Sequence, residues 1–164
     1  MQPTAFRYLK STTSSVTDEN GLVVELTRLT QAGSTFGNET TGRVAVAYNP
    51  SPQLTVRASW GQGFKAPTLF QLSGGGFVAP NPNLRPETSE AIDAGIDWRS
   101  EGGRFEAGVT VFQTDIEDLI SFAFSGYFNE AQVETRGIEL VGRVVVTDWL
   151  SVDANYAYID AEDT

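Results

Sequence analysis

The chain has 164 residues, a formal charge of −10 at pH 7 and neither cysteine nor histidine. The missing side chains exclude disulfides, thiolate or imidazole metal sites and histidine-dependent nucleophilic catalysis. The acidic balance, with Lys10 and Lys65 as the only lysines, argues against a nucleic-acid partner, because phosphate contacts need clustered basic residues.

Alternation of apolar and polar residues dominates the chain and predicts strands rather than helices. In the stretch LTVRASW (54–60), the leucine, valine, alanine and tryptophan share one face and the polar residues share the other. About eight antiparallel strands are predicted, in the ranges 4–13, 22–30, 43–48, 54–60, 92–98, 105–111, 138–146 and 150–158.

The predicted connections alternate between short and long along the chain. Short turns carrying Pro, Asn, Asp or Gly are expected at 17–21, 49–53, 99–103 and 147–149. Longer connections are expected at 31–39, 62–86 and 115–134. In an up-and-down sheet every second connection lies at the same end, so one end would carry tight turns and the other long loops. This asymmetry is typical of outer-membrane β-barrels.

Aromatic residues cluster at the predicted strand ends. The short turns are flanked by Tyr48, Trp98, Phe105 and Trp149, and the long-loop ends by Trp60 and Tyr158. Two such belts suit the two interfaces of a bilayer, because amphipathic rings favour the headgroup region. We therefore expect an all-β fold, an antiparallel up-and-down transmembrane β-barrel segment whose apolar side chains face lipid. The strands of a soluble β-sandwich alternate in the same way, so a sandwich is the alternative fold at this point.

Five motifs follow one another along the chain. They are GFKAPTLFQL (63–72), NPNLRPE (81–87), FQTDIEDLI (112–120), NEAQVETRGIE (129–139) and YAYIDA (156–161). In kind and in order they resemble the barrel domain of TonB-dependent outer-membrane receptors, although the fourth differs from the family pattern by one residue in its spacer. The resemblance covers residues 36–164, and residues 1–35 match only as generic strand.

The resemblance implies a barrel of about 22 strands that is plugged by a separate domain. Residues 1–164 would be a partial barrel domain, with the plug, the TonB contact peptide, the signal sequence and the last strands expected outside this sequence. The implied function is TonB-energised uptake of a scarce large solute, a siderophore–iron complex or a cobalamin-like molecule, across the outer membrane of a Gram-negative bacterium. The implied partners are outer-membrane lipid, the plug domain, the TonB system and the small-molecule solute, without a cofactor.

Two other functions stay open at this point. A small eight-stranded outer-membrane barrel of structural or adhesive role agrees with the strand count, and a soluble carbohydrate-binding β-sandwich agrees with the alternation. An enzyme is not expected, because no spacing among the 21 acidic residues singles out a catalytic pair.

The stretch from 63 to 87 predicts an external loop with fixed feet and a variable tip. Its prolines fix φ and keep the preceding residues extended, whereas the glycines at 74–76 let the tip turn. Glu87 is expected to pair with Arg85 or Lys65. The predicted anchoring residues are Gly63, Phe64, Lys65, Ala66, Pro67, Asn81, Pro82, Leu84, Pro86 and Glu87.

Aromatic residues in the long connections are candidates for contact with a solute. They are Phe77, Phe124, Tyr127 and Phe128, and packing among the loops is the alternative role for all four. An acidic cluster, Asp115, Glu117 and Asp118, stands at a predicted strand end. Its carboxylates suit Ca²⁺, but we expect a solvated edge and predict no metal site.

Overall fold

The computed structural model describes residues 8–19, 21–33, 37–130 and 132–163. Within these ranges the chain forms ten strands and one short helix. The elements are β1 (Tyr8–Thr17), β2 (Val23–Gly33), β3 (Gly37–Ser51), β4 (Leu54–Lys65), α1 (Leu69–Ser73), β5 (Glu87–Arg99), β6 (Phe105–Glu117), β7 (Ile120–Ala123), β8 (Gly126–Asn129), β9 (Val133–Thr147) and β10 (Leu150–Asp163). None of the described residues belongs to a helix long and apolar enough to cross a membrane.

Eight strands form one antiparallel sheet in the order β1-β2-β3-β4-β5-β6-β9-β10, and β7 pairs with β8 in a separate hairpin. Strands β1 and β10 are the two edges, so the described part of the sheet is a barrel wall that does not close on itself. The expected fold class is confirmed, and the eight strands of the large sheet match the predicted strands in number and chain order. The β7–β8 hairpin is additional.

Both alternative architectures disagree with this topology. A small closed barrel requires pairing between β1 and β10, which the described sheet lacks. A β-sandwich requires a second layer, and the four-residue strands of the β7–β8 hairpin are too short to cover the large sheet. The sandwich alternative is therefore wrong.

Tight turns join the strands at one end of the sheet. Between β5 and β6 the amide of Ser100 donates to the carbonyl of Phe105 at 2.9 Å, and the amide of Gly103 donates to Ser100 at 2.9 Å. Gly103 has φ 65°, a conformation that favours glycine. The turn chemistry expected at residues 99–103 is thus present, and it fixes the register of the strands that follow.

Register sorts the side chains of the large sheet into two faces. One row of paired residues on the first face contains Val56, Ile96, Val109 and Leu140. A neighbouring row on the opposite face contains Arg57, Gly95, Thr110 and Glu139. We call these the apolar face and the polar face. Since residues opposite each other on paired strands share a face, the alternation seen in single strands extends across the whole wall.

The large sheet has no sealed core. The buried apolar side chains of the described residues are Ala66, Leu84 and Ile120, and all three lie outside the large sheet. Apolar residues of the wall stay exposed, for example Ile96 at 46% and Val111 at 50%. The wall therefore needs an apolar environment on one side, which is the arrangement of a lipid-facing barrel surface.

The strands run further than the alternation predicts. Because β2 ends at Gly33 and β3 begins at Gly37, the predicted long connection at 31–39 is wrong; residues 34–36 lie outside the described ranges. The other two long connections shrink to 66–86 and 118–132 and contain α1 and the β7–β8 hairpin. The strands continue into stretches where both faces are polar, because pairing satisfies the backbone amide and carbonyl groups independently of the side chains that the residues carry.

The aromatic residues predicted at the strand ends lie on or beside the apolar face. Trp98 and Phe105 are half-exposed, Trp149 is 83% exposed, and Tyr158 is exposed near the opposite ends of the strands. Trp60 pairs with Val44 and Ile92 in the same face. The exposed rings beside the tight turns agree with an interface rather than a core, whereas Trp60 lies in mid-strand, five residues before the end of β4.

Candidate functional site

Two elaborate connections lie at the same end of the sheet, opposite the tight turns. They are residues 66–86, between β4 and β5, and residues 118–132, between β6 and β9, and together we call them the loop cluster. In the first connection α1 begins after Thr68, whose hydroxyl accepts from the amide of Gln71, while the Gln71 side chain accepts from the Thr68 amide. This capping box fixes the direction in which the chain leaves β4.

A buried carboxylate ties three segments of the loop cluster and the sheet together. Glu87, the first residue of β5, accepts from Lys65 Nζ at 2.8 Å and from the amide of Ile120 at 3.1 Å. Its residue is 8% exposed, whereas the Lys65 side chain is 60% exposed. Glu87 therefore joins the end of β4 and the start of β7 to β5. The expected choice between Lys65 and Arg85 is settled in favour of Lys65.

Arg85 has a different partner, which the sequence did not suggest. Its guanidinium contacts Asp118 Oδ1 at 2.6 Å. Asn129 clamps the same segment, because its side chain accepts from the Arg85 amide at 2.7 Å and donates to the carbonyls of Arg85 at 2.9 Å and Asp118 at 2.7 Å. Asp118 has φ 56°, so the chain turns sharply there into the β7–β8 hairpin.

The tips of the two connections also lie against each other. The Ala79 amide donates to the Ser125 carbonyl at 2.6 Å, and Asn81 Nδ2 donates to the Tyr127 carbonyl at 2.9 Å. The Tyr127 ring makes edge-on contacts with Phe70, at 6.4 Å between centroids, and with Phe122, at 5.2 Å. Hydrogen bonds and ring packing therefore join α1, the loop tip and the hairpin into one body.

The structure separates the four aromatic candidates into two groups. Phe77 and Phe124 are fully exposed, and Phe128 is 46% exposed. Tyr127 is half-buried between Phe70 and Phe122. Phe124 has φ 57°, which is rare for an aromatic residue, and Gly76, beside Phe77, has φ 61°. Both exposed rings are thus presented on sharp turns.

The predicted anchoring residues lie at the two feet of the first connection. Gly63, Phe64 and Lys65 are the last residues of β4 and pair with Ser89, Thr88 and Glu87 of β5. Ala66 and Pro67 are buried, and Leu84 is 3% exposed. At the other foot, Asn81 donates a hydrogen bond to the Tyr127 carbonyl. Pro86 is half-buried there, whereas Pro82 is exposed.

The polar face carries an ion-pair network nearer the tight turns. Arg57 donates from Nε to Asp97 at 2.9 Å and from Nη2 to Thr110 at 2.7 Å. A Cβ on Gly95 would lie 3.0 Å from Arg57 Cζ, and a Cβ on Gly108 would lie 2.6 Å from Asp97 Oδ1. The two glycines therefore leave room for the pair, a role that the sequence alone did not reveal.

A hollow of about 760 Å³ lies beside this network, with Asp97, Arg143 and Asn155 among its lining residues. Further pairs follow on the same face, Arg99 with Glu106 at 3.0 Å and Arg143 with Asp153 at 3.7 Å. Near the tight turns, the polar face thus carries several charges that are held in ion pairs.

The three residues of the acidic cluster have different surroundings. Asp118 pairs with Arg85, and Glu117 accepts from Gln132 at 3.0 Å. Asp115 lies on the apolar face in register with Glu90 and Glu134. Among the residues that the structure describes, no three acidic side chains are placed to hold a metal ion.

Sequence reasoning missed the role of Asn129 and expected a solvated edge at Asp118, which instead pairs with Arg85. For Tyr127 the structure shows packing among the loops, the alternative role given to it above. Asn129 opens one of the motifs but has no local partner, since its bonds reach Arg85, 44 positions away. The capping box of α1 was readable, because Thr68 and Gln71 have the required three-residue spacing.

Comparisons with known proteins agree with this geometry. The family described as TonB dependent receptor-like, beta-barrel, matches residues 4–164. The vitamin B12 transporter BtuB of Photobacterium profundum is 32% identical over 147 residues, which are 82% of this chain and 23% of that protein.

Solved structures show the same fold at lower identity. The siderophore receptor PirA of Pseudomonas aeruginosa superposes with a TM-score of 0.76 at 20% identity, covering 93% of this chain and 36% of that one. A ferric enterobactin receptor of the same species, in complex with enterobactin, gives 0.74 at 17% identity, covering 91% and 26%. This chain thus spans a quarter to a third of its relatives' lengths, and it belongs to the family of TonB-dependent receptor β-barrels.

Proposed function

We propose that this chain is part of the barrel wall of an active-transport receptor in the outer membrane of a Gram-negative bacterium. The receptor would take up a scarce large solute, such as a siderophore–iron complex or a cobalamin-like molecule. The observation that carries the proposal is a single antiparallel sheet with an exposed apolar face and a packed loop cluster at one end only. The named functions of the relatives, vitamin B12 transport and siderophore reception, support it.

In this proposal the solute first meets the tips of the loop cluster. Phe77, Phe124 and Phe128 contact it, because their rings are exposed. Tyr127 does not contact the solute in this proposal. Its ring packs on Phe122 and supports the hairpin that presents Phe124. The polar face then lines the route inward, where a plug domain energised by TonB would release the solute.

The anchoring residues have a mechanical role in this scheme. Lys65, Glu87 and Leu84 hold the feet of the first connection on the wall, so that the tip can vary without loss of the barrel. The chain binds and passes on a solute without chemical change, so no catalytic group is assigned. Outer-membrane lipid would cover the apolar face.

Uptake by the full-length receptor tests the proposal. The receptor is expressed in a host that lacks its own importers, with and without TonB, and labelled vitamin B12 and iron-loaded siderophores are supplied. We expect uptake of at least one of these solutes only when both the receptor and TonB are present. Absence of TonB-dependent uptake for every solute, in cells whose outer membrane contains the receptor, would contradict the proposal.

A loop deletion separates binding from assembly. Gly75 and Val78 are joined by a pair of backbone hydrogen bonds at 3.0 Å, and Gly74 lies against the backbone of Ala79. Removal of residues 75–78 therefore takes away Phe77 and joins two ends that are already close together. This variant should reach the outer membrane in wild-type amounts and lose most of its uptake. The matched control removes residues 101–102, in the tight turn at the opposite end, and should retain uptake.

A further inference from the structure

Two cations lie on the apolar face where β1 and β2 approach the loop-cluster end of the sheet. Leu26 belongs to this face, because it pairs with Val44. Arg28 follows two residues along β2 and shares the face, and so does Lys10, whose partner Thr30 is two residues beyond Arg28. Both cations are exposed, and neither forms an ion pair with a described residue. We call Lys10 and Arg28 the cationic patch.

No carboxylate of the same four strands opposes the cationic patch on its face. The acidic residues described in β1 to β4 are Glu25 and Glu39, and both lie on the polar face. The acidic residues of the apolar face stand instead on β5, β6, β9 and β10. They are Glu90, Asp115, Glu117, Glu134, Asp160 and Glu162. The charges at this end of the apolar face are therefore segregated, and the patch creates a local positive potential on a chain of net charge −10.

A groove of about 540 Å³ borders the patch toward the middle of the sheet. Leu26, Val44 and Trp60 are among its lining residues, and Arg28 and Gly42 also line it. A Cβ on Gly42 would meet nothing within 4 Å, so the floor of the groove is open. The groove thus begins among apolar side chains and ends at a guanidinium, which is the order of groups along a lipid from acyl chain to charged headgroup.

Hydroxyl groups accompany the cations at the headgroup end of the groove. A second hollow of about 240 Å³ is lined by Lys10, Thr12, Arg28 and Thr30. The hydroxyl oxygens of Thr30 and Thr40 lie 3.5 Å apart on the same face. Ammonium, guanidinium and hydroxyl groups are donors that phosphate oxygens accept, and the two cations add charge to these hydrogen bonds.

Resting on the placement of the apolar face against lipid in the proposed function, we infer that the cationic patch binds the phosphate of a phosphorylated lipid in the outer leaflet, with an acyl chain of that lipid in the groove over Gly42. A free anion would neutralise the cations and leave the groove empty. An uncharged lipid would fill the groove and leave the cations unpaired. A phosphorylated lipid satisfies both, and basic residues beside a membrane attract such headgroups.

Lipid binding by the intact receptor in detergent, measured by native mass spectrometry, tests the inference. The probes are lipid A, lipid A from which the phosphates have been removed, and inorganic phosphate. We expect lipid A to bind at least about tenfold tighter than its dephosphorylated form at low salt, because the latter cannot reach the cations with an anion. An excess of inorganic phosphate should displace little lipid A, since a free anion does not fill the groove. Equal binding of the two lipid forms, or displacement by inorganic phosphate, overturns the inference.

Three variants assign the effect to residues. The double variant Lys10→Gln/Arg28→Gln should reduce the preference for the phosphorylated lipid about tenfold. Arg136→Gln removes a cation of the same face that is already paired with Asp160, and it should change lipid A binding less than about twofold. Gly42→Leu fills the open floor and should weaken both lipid forms while the preference between them stays. An unchanged preference in the double variant, or an equal loss in Arg136→Gln, overturns the assignment.

The uptake assay keeps this inference separate from the proposed function. Lys10 and Arg28 lie outside the loop cluster, so the double variant should retain TonB-dependent uptake. Loss of the lipid preference in this variant with uptake intact is the expected result. A receptor that imports no solute but prefers phosphorylated lipid through these two residues contradicts the uptake proposal and leaves the lipid site standing. A receptor that imports a solute without any such lipid preference contradicts the lipid site alone.

Discussion

At the scale of single residues, Glu87 decides how the loop cluster is attached to the wall. It is the buried charged residue among the described positions, and its carboxylate meets both a cation and a backbone amide. A buried amide that loses its acceptor lowers the stability of the fold by about 1–3 kcal/mol, because it has given up its hydrogen bond to water without gaining another. The exposed Lys65 contributes less, since solvent screens its charge.

Glu87→Ala should therefore destabilise the loop cluster more than the loss of the ion pair alone. We expect a decrease of about 1–3 kcal/mol in the free energy of unfolding of the intact receptor in detergent, and faster proteolysis within residues 118–132. Glu87→Gln keeps an acceptor for the Ile120 amide and should lose less. Glu90→Ala, three residues along β5 and exposed, is the control and should leave both measurements unchanged. Equal losses for the alanine and glutamine variants would contradict the role given to Ile120.

At the scale of elements, the sequence predicted the middles of the strands and missed their ends. Residues such as Val109 and Thr110 alternate between the apolar face and the polar face, and this contrast is the signal that the sequence offers. Near the strand ends, charged residues such as Asp115 and Glu134 occupy the apolar face, so the alternation is lost although β6 and β9 still pair there. The β7–β8 hairpin was also missed, because Asp118 and Phe124 adopt positive φ without being glycine. Its attachment depends on partners more than 30 positions away, such as Glu87 for Ile120.

A charge placed on either side of one strand tests the assignment of the faces. Val109 pairs with Ile96 and Leu140 on the apolar face, whereas Thr114 of the same strand lies on the polar face opposite Ala91. Val109→Arg should cost about 2–4 kcal/mol if this position meets hydrocarbon near the bilayer midplane. Thr114→Arg should cost much less, because its face is wet. The measurement is reversible unfolding of the full-length receptor in lipid vesicles, and similar costs at the two positions would refute the assignment.

At the scale of the whole molecule, the wall is one sheet with an exposed apolar face and a polar face. Motif order predicted this architecture, because the segments 63–72 and 81–87 mark the two feet of one connection. Composition did not predict it, since 40% apolar residues and a charge of −10 also suit a water-soluble protein. A barrel wall differs from a water-soluble sheet protein in that its apolar face stays exposed. This exposure follows from the strand register and from the lack of a second sheet over that face among the described residues.

The exposed apolar face predicts how the intact receptor behaves during purification. Ile92, Val111 and Val152 are each 50% exposed or more on this face, and such a continuous surface aggregates in water. We expect the receptor in the outer-membrane fraction, extractable only with detergent, and more compact by gel migration before heating than after. Replacing the detergent with plain buffer should precipitate it. A receptor that stays monomeric and melts cooperatively in plain buffer would show that something other than lipid covers these side chains, and the orientation of the wall would have to be reversed.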